Sequence, residues 1–141
     1  MFKSLIRFFK ALFKLKGSSD TSVSVDDTRF RKIIVLDSTP NIDLIGYEDF
    51  IFVQYNQNPY WALFKCPCGC NSVISLPLQN NHNPKWTLKE SENGHPTLNP
   101  SIWQNKGCFS HFWISDGKVQ MCGNTGIEPW KAEPAKYSKS Y

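Results

Sequence analysis

The chain has 141 residues, enough for one domain with its own core, and its 40% hydrophobic and 20% charged residues are ordinary for a globular protein. The net charge of +4 is concentrated in residues 1–17, which carry five of the 16 basic residues and no acidic residue. The rest of the chain has 16 − 5 = 11 basic against 12 acidic side chains, a sum of −1. This balance argues against a nucleic-acid-binding surface on the globular part.

Residues 1–17, MFKSLIRFFKALFKLKG, are predicted to form a basic amphipathic helix. Lys3, Arg7, Lys10 and Lys14 fall in one narrow stripe at a helical period, and apolar side chains cover the remaining face. The cations interrupt every apolar run, which disfavours a membrane span and a signal peptide. We expect the helix to lie on an anionic membrane surface or in a partner's groove; the alternative is packing against its own domain.

The rest of the chain is predicted to be mainly β. Residues 18–28 are small and polar and predict a flexible linker, and residues 123–141 predict an irregular C-terminal tail. Between them, residues 29–122 predict a small antiparallel β-domain built around a Cys/His metal site. Its strands are expected in the β-prone runs RKIIVLD, LIGYEDFIFVQY, YWALFKC, SVISLPL, KWTLK, HPTLNPSIW and HFWISDGKVQMC, which turn-like clusters separate.

Three of the five cysteines lie in CPCGC, residues 66–70. No convincing export signal is present, so a reducing, cytoplasmic compartment is expected, either free or peripheral at the inner face of a membrane. In that compartment clustered thiols are more often metal ligands than disulfides. Pro67 fixes the entry to a turn, and Gly69 permits a positive φ, so that the sulfurs can converge.

The second stretch of interest is a predicted hairpin. Asp116-Gly117 is a strong two-residue turn signal, and pairing outward from it sets Phe112 opposite Met121 and His111 opposite Cys122. Phe112, Ile114, Val119 and Met121 would then share an apolar face. Cys108, three residues before His111, would have the spacing of a C-x-x-H ligand pair.

These two stretches together predict one metal site. Cys66 and Cys68 (or Cys70) with Cys108 and His111 would form a Cys₃His tetrahedron, in which Cys122 or the spare thiol could substitute or support the ligands. Zinc is the expected ion, and a two-iron two-sulfur cluster is the alternative. The motifs of zinc deaminases and of H-E-x-x-H proteases are absent from the sequence.

The motifs as a set resemble a known family. CPCGC, W-T-L at 86–88, TLNPSIW at 97–103, GC-x-SHFWI at 107–114 and DGKVQMC at 116–122 are similar to the bacterial domain-of-unknown-function family numbered 6527, over roughly residues 30–122. The resemblance implies a zinc-binding protein. It also implies a role beside a ubiquitin-like protein and its E1- and E2-like enzymes, in operons suspected of antiphage defence, and a peptidase that trims or removes the modifier.

Such a peptidase could be zinc-dependent, with Glu90 or Glu92 as general base and with Ser101 and Ser110 as donors to the oxyanion. Glu90 and Glu92 could equally be solvated, and Ser110 could instead hydrogen-bond a ligand sulfur. Two alternatives stand beside this hypothesis. One is a non-catalytic adaptor with a closed structural zinc, and the other is a thiol nucleophile, Cys108, activated by His111.

Overall fold

Strands dominate the fold. The computed structural model describes residues 25–137, and in that part of the chain eight β-strands are followed by two short helices. The strands are β1 (Ile34–Leu36), β2 (Ile51–Tyr55), β3 (Asn58–Lys65), β4 (Val73–Pro77), β5 (Thr87–Glu90), β6 (Pro96–Trp103), β7 (His111–Ser115) and β8 (Lys118–Met121). A 3₁₀ helix spans Ile42–Leu44, and the helices are α1 (Pro129–Ala132) and α2 (Pro134–Tyr137). The prediction of a mainly β fold is confirmed.

The strands form two four-stranded sheets. The first has the order β1-β2-β3-β4 and the second the order β5-β6-β7-β8. Every neighbouring pair is antiparallel except β1 and β2, which are parallel, so the first sheet is mixed rather than purely antiparallel. Consecutive antiparallel strands need only short turns, which explains why the turn clusters of the sequence separate them.

The β7–β8 hairpin has the predicted register. Trp113 pairs with Gln120 and Ile114 with Val119 around the Asp116-Gly117 turn, where both turn residues have positive φ. A side chain on Gly117 would lie 2.1 Å from the carbonyl oxygen of Phe30, so the position accepts no Cβ without a shift. Met121 departs from the expected apolar face, because it is 42% exposed.

The main core lies between the two sheets. Phe50, Phe64 and Ile74 from the first sheet and its flanks meet Leu98 and Phe112 from the second, and all five are buried. The rings of Phe50 and Phe64 are stacked with centroids 5.6 Å apart. Each such buried side chain contributes about 2–3 kcal/mol to folding by leaving water. The core therefore fixes how the two sheets face each other.

The two ends of the chain are described to different extents. Residues 1–17, which are predicted to form an amphipathic helix, lie outside the described residues, as do residues 138–141. Residues 123–137, expected to be irregular, return to the second sheet, where the amide of Gly126 donates to the carbonyl of Phe109 at 2.9 Å. No helix within residues 25–137 has the length and apolar character needed to cross a membrane.

Candidate active site and cysteine cluster

A cluster of four cysteines joins the two sheets. Cys66, Cys68 and Cys70 follow β3, and Cys108 lies in the loop before β7. Their four sulfurs all lie within 4.8 Å of one another. The predicted convergence of the early pentapeptide with Cys108 is therefore present in the fold.

The backbone of the pentapeptide explains this convergence. Gly69 has φ 88°, as expected for a residue that turns the chain back after Cys68. The amide of Gly69 donates to the carbonyl of Cys66, and the amide of Cys70 donates to the sulfur of Cys68 at 3.3 Å. Amide donors of this kind spread the negative charge of a thiolate.

The cluster has the dimensions of a single-ion site. The Cys66 sulfur lies 3.4 Å from that of Cys68 and 3.6 Å from that of Cys108. A tetrahedral ion with metal–sulfur bonds of about 2.3 Å would separate its ligands by roughly 3.8 Å. The four thiols could therefore hold one metal ion, and no ligand position would remain open for water.

The thiols of the cluster differ in their pKa values. Burial raises the pKa of Cys66 to about 12, whereas hydrogen bonds from the hydroxyl and amide of Ser72 lower the pKa of Cys70 to about 6. Burial acts to raise the pKa of Cys108, but hydrogen bonds led by that of Ser110 outweigh it and lower this pKa. Four thiolates this close repel one another, so a full set of thiolates requires a metal ion among them.

Arg29 supplies a fixed positive charge next to the cluster. Its guanidinium is buried, donates to the carbonyls of Tyr47 and Lys65, and lies 3.7 Å from the centroid of the Tyr47 ring. Lys65 directly precedes Cys66. Because four thiolates around a divalent ion would leave an excess of negative charge, a buried cation here would stabilise a site that held such an ion.

A second polar constellation lies on the neighbouring strands of the second sheet. The hydroxyl of Ser101 on β6 lies 2.9 Å from Nε2 of His111 on β7. The other ring nitrogen of His111, Nδ1, lies 2.6 Å from Oδ1 of Asn124. The three side chains form a continuous chain from hydroxyl through imidazole to amide, and all three are half-buried.

The tautomer of His111 follows from its partners. An amide oxygen can only accept a hydrogen bond, so Nδ1 carries the proton when it faces Oδ1 of Asn124. Nε2 then has a free lone pair directed at the Ser101 hydroxyl. This is the arrangement of a nucleophile, a general base and a group that orients the base.

Several contacts fix the imidazole. The indole of Trp103 is stacked on it, with ring centroids 4.1 Å apart and planes 3° from parallel. Trp103 is held in turn by a hydrogen bond from Nε1 to the carbonyl of Ile127. The backbone amide of His111 donates to the hydroxyl of Thr125 at 2.9 Å. The chain after β8 therefore supplies both the orienting Asn124 and part of the frame around the ring.

An irregularity in β6 presents Ser101. The register between β6 and β7 shifts between Leu98 and Ile102, and the Asn99–Pro100 peptide bond in this segment is cis. Bulges of this kind re-aim side chains next to active sites. Trp86 donates from Nε1 to the carbonyl of Ser101 at 3.2 Å and so holds the bulged segment in place.

The cluster and the constellation are linked by two residues. Phe109 has φ 51°, so the chain turns between Cys108 and His111 and their side chains serve different sites. Ser110 is 2% exposed and donates from its hydroxyl to the sulfur of Cys108 at 3.1 Å. A metal ion that anchored Cys108 would therefore also anchor the start of β7, where His111 lies.

The residues that the sequence predicted for the site do not all lie together. Of the six candidate ligands, the fold brings Cys66, Cys68, Cys70 and Cys108 together and leaves His111 and Cys122 outside this group. Both ring nitrogens of His111 contact other side chains. Ser110 donates to the sulfur of Cys108, a candidate ligand, and a hydrogen bond to such a sulfur was the alternative considered for it. Glu90 is exposed and pairs with Pro96, at the end of the β5–β6 ladder remote from Ser101.

Asn124 and Trp103 are the participants that the sequence did not reveal. Asn124 lies in GNTG, residues 123–126, which carries no catalytic spacing and was assigned to the tail. The available signal was only its position just after β8, at the same end of the hairpin as His111. Trp103 lies two residues after Ser101 and pairs with His111 across the ladder.

Comparison with known protein families identifies the family to which this chain belongs. The profile of the family described as bacterial ubiquitination-like system serine protease (BubE) matches residues 37–122, more than half of the chain. The chain belongs to the BubE family. The matched residues include the four clustered cysteines, Ser101 and His111. The curated proteins and the solved structures compared with this chain contain no significant match.

Membership of the BubE family agrees with the expected link to ubiquitin-like conjugation. The family's description names a serine protease, whereas a zinc-dependent peptidase was expected from the sequence. The Ser101–His111 pair and a cysteine cluster without an open ligand position are both consistent with that description.

Proposed function

We propose that this protein is a serine peptidase of a bacterial ubiquitin-like conjugation system, in which it cleaves the ubiquitin-like protein from a precursor extension or from a conjugate. The observation that carries the proposal is the chain of hydrogen bonds from Ser101 through His111 to Asn124. Family membership supports the pathway and the serine chemistry. The ubiquitin-like protein and its E1- and E2-like enzymes are the partners that follow from this role.

The reaction begins with the transfer of the Ser101 proton to Nε2 of His111 as the serine oxygen attacks the carbonyl carbon of the scissile amide. The imidazolium then donates this proton to the departing amine, which leaves an ester between Ser101 and the carbonyl half of the substrate. A water molecule, activated by the same imidazole, attacks the ester. Hydrolysis of the ester releases the carbonyl half of the substrate as a free carboxylate and restores the serine hydroxyl.

Asn124 is the positioning residue of this mechanism. Its amide oxygen keeps the Nδ1 proton in place, so that Nε2 remains able to accept from Ser101. A neutral amide stabilises the imidazolium less than the carboxylate of an aspartate would. The base is therefore oriented here by geometry, with help from the stacked Trp103.

We assign the cysteine cluster to a structural zinc ion held by Cys66, Cys68, Cys70 and Cys108. A closed set of four thiolates suits zinc and leaves no position for a reacting water. When bound, the ion would supply a crosslink between the two sheets. The catalytic groups then belong to the second sheet, and the zinc supports them through the short segment from Cys108 to His111.

The test is cleavage of the ubiquitin-like protein of the same system carrying a C-terminal extension. The unaltered protein should release the extension, and Ser101→Ala should reduce the rate by at least about 10³-fold. Ser115→Ala, at an exposed serine on β7, is the matched control and should cleave normally. Equal cleavage by Ser101→Ala would overturn the proposal.

A non-catalytic adaptor with the same closed zinc site is the second candidate, because the cluster is complete without a substrate. It requires that the unaltered protein bind the ubiquitin-like protein without cleaving any linked form of it. Binding of that protein by both the unaltered chain and Ser101→Ala, with intact substrate in both samples, would favour the adaptor.

A further inference from the structure

A groove of about 420 Å³ runs between β4 of the first sheet and the end of β6 in the second. Two of its lining residues are tryptophans that contact the proposed catalytic groups. Trp86 donates from its indole to the carbonyl of Ser101, and Trp103 stacks on the imidazole of His111. Through these two tryptophans the groove adjoins the proposed nucleophile and its base.

One wall of the groove is an unpaired strand edge. The amide of Leu78 donates to the carbonyl of Tyr60, so these two residues form a hydrogen-bonded pair. Along an antiparallel ladder such pairs alternate with pairs whose amides and carbonyls point away from the partner strand. The amides and carbonyls of Val73 and Ser75 therefore point away from β3. Because β4 is the last strand of its sheet, these groups face the groove, and no backbone partner for them is found within residues 25–137.

The opposite wall is also an unpaired edge. The amide of Gln104 donates to the carbonyl of Ser110 across the β6–β7 ladder, so by the same alternation the amide and carbonyl of Trp103 point away from β7. On that side β5 pairs with β6 only as far as Asn99. Beyond that point, the described part of the chain leaves the edge of β6 uncovered except for the Trp86 indole.

Trp86 indicates how a chain can bridge the two edges. Its backbone amide donates to the carbonyl of Pro77 on β4 at 2.9 Å, while its indole donates to the carbonyl of Ser101 on β6 at 3.2 Å. One residue thus already contacts both walls of the groove. Past Trp86, the walls offer further backbone donors and acceptors without such a bridge.

We infer that this groove binds the substrate residues next to the scissile bond as an added β-strand between β4 and β6. Resting on the proposed function, this inference specifies its substrate class as an extended, flexible segment, such as the unstructured end of a protein chain. Backbone hydrogen bonds from two strand edges select extended chain and largely ignore its side chains. A helix or a compact loop presents no such row of free backbone groups and is excluded.

The first test removes one backbone donor of β4. Ser75→Pro deletes the outward amide and leaves the β3–β4 hydrogen bonds intact, because an edge strand tolerates proline there. For a fluorogenic peptide with the tail sequence of the ubiquitin-like protein, KM should rise about tenfold. Labelling of Ser101 by a small phosphonofluoridate should be unchanged, because that probe does not occupy the groove.

Two variants serve as matched controls. Ser75→Ala keeps the amide, and Val35→Pro removes an outward amide from β1, at the opposite edge of the same sheet. Both should retain the original KM. If circular dichroism shows that Ser75→Pro is folded and its KM is unchanged, the inference that the groove binds the substrate is wrong.

The second test leaves the protein unaltered and methylates the backbone nitrogens of the peptide one at a time. A strand added between two edges donates alternate amides to each edge, so KM should rise at every peptide position within the groove and stay near its original value at positions outside it. Absence of an effect at the positions within the groove would contradict strand addition. If Ser101 reacts with the phosphonofluoridate and both tests fail, the groove does not bind the substrate but the proposed function stands. If Ser101 does not react and Ser101→Ala cleaves normally, the proposed function and the inference about the groove both fail.

Discussion

The indole of Trp103 lies flat against the imidazole of His111, with ring centroids 4.1 Å apart. The edge of the same indole makes a second contact, because its Nε1 donates to the carbonyl of Ile127. Stacking of this kind is worth about 0.5–1.5 kcal/mol and restricts the ring to one plane. Trp103 therefore links the chain after β8 to the orientation of the proposed base.

Removing this stack should slow cleavage. Trp103→Ala should lower kcat by about tenfold, because the imidazole can then leave the line to the Ser101 hydroxyl. Trp103→Phe keeps an aromatic face, loses only the hydrogen bond to Ile127, and should lose less activity. Steady-state cleavage of the extended ubiquitin-like protein measures both, and equal losses in the two variants would show that stacking is not what matters.

Asn124 should control the acid limb of the rate profile. Asn124→Ala loses the acceptor for Nδ1 and should reduce kcat by on the order of 10²-fold. Asn124→Asp keeps an acceptor and adds a carboxylate that stabilises the imidazolium, so the base stays protonated to a higher pH. Activity should be retained at alkaline pH, with the acidic limb of kcat against pH moved upward. An unmoved limb would contradict the contact between Asn124 and His111.

Removal of the metal should lower the stability of the fold and, through the start of β7, slow cleavage. Zinc analysis should find one ion per chain, and a strong chelator should lower the thermal midpoint by more than about 10 °C, because binding energy at such sites is folding energy. Cleavage at a temperature below the lowered midpoint should fall as the start of β7 loosens. Full stability after chelation, with activity lost, would instead indicate a catalytic ion.

The thiols of the metal-free protein should react in a defined order. Hydrogen bonds from Ser72 lower the pKa of Cys70 to about 6, whereas burial raises the pKa of Cys66 to about 12. At pH 7 in the cold, a short pulse of iodoacetamide should modify Cys70 first and Cys66 last, and the Cys70 rate should fall as the pH drops below about 6. Peptide mass spectrometry reads the order, the zinc-loaded protein is the control, and early modification of Cys66 would contradict this prediction.

Much of the fold could be predicted because it depends on local patterns. The β-prone runs each contain a strand, and the Asp116-Gly117 turn sets the register of β7 and β8. The parallel pairing of β1 with β2 could not be predicted, because no tight turn connects parallel strands and nothing local marks the contact.

The site was predicted in part for the same reason. The cysteine pentapeptide and Cys108 stood out by spacing, whereas the role of His111 depended on the direction of its ring. Phe109 has a positive φ, which is uncommon for a bulky residue and which turns His111 away from the sulfurs toward Ser101. Asn124 reaches the ring only because the chain after β8 folds back, a contact that no spacing encodes.

The central claim, that Ser101 is an activated nucleophile, is tested most directly by covalent labelling with a phosphonofluoridate followed by peptide mass spectrometry. We predict one adduct per chain, on Ser101, with labelling lost in Ser101→Ala, strongly reduced in His111→Ala and unchanged in Ser115→Ala. No adduct on zinc-loaded, folded protein, or an adduct that persists in Ser101→Ala, would contradict the account.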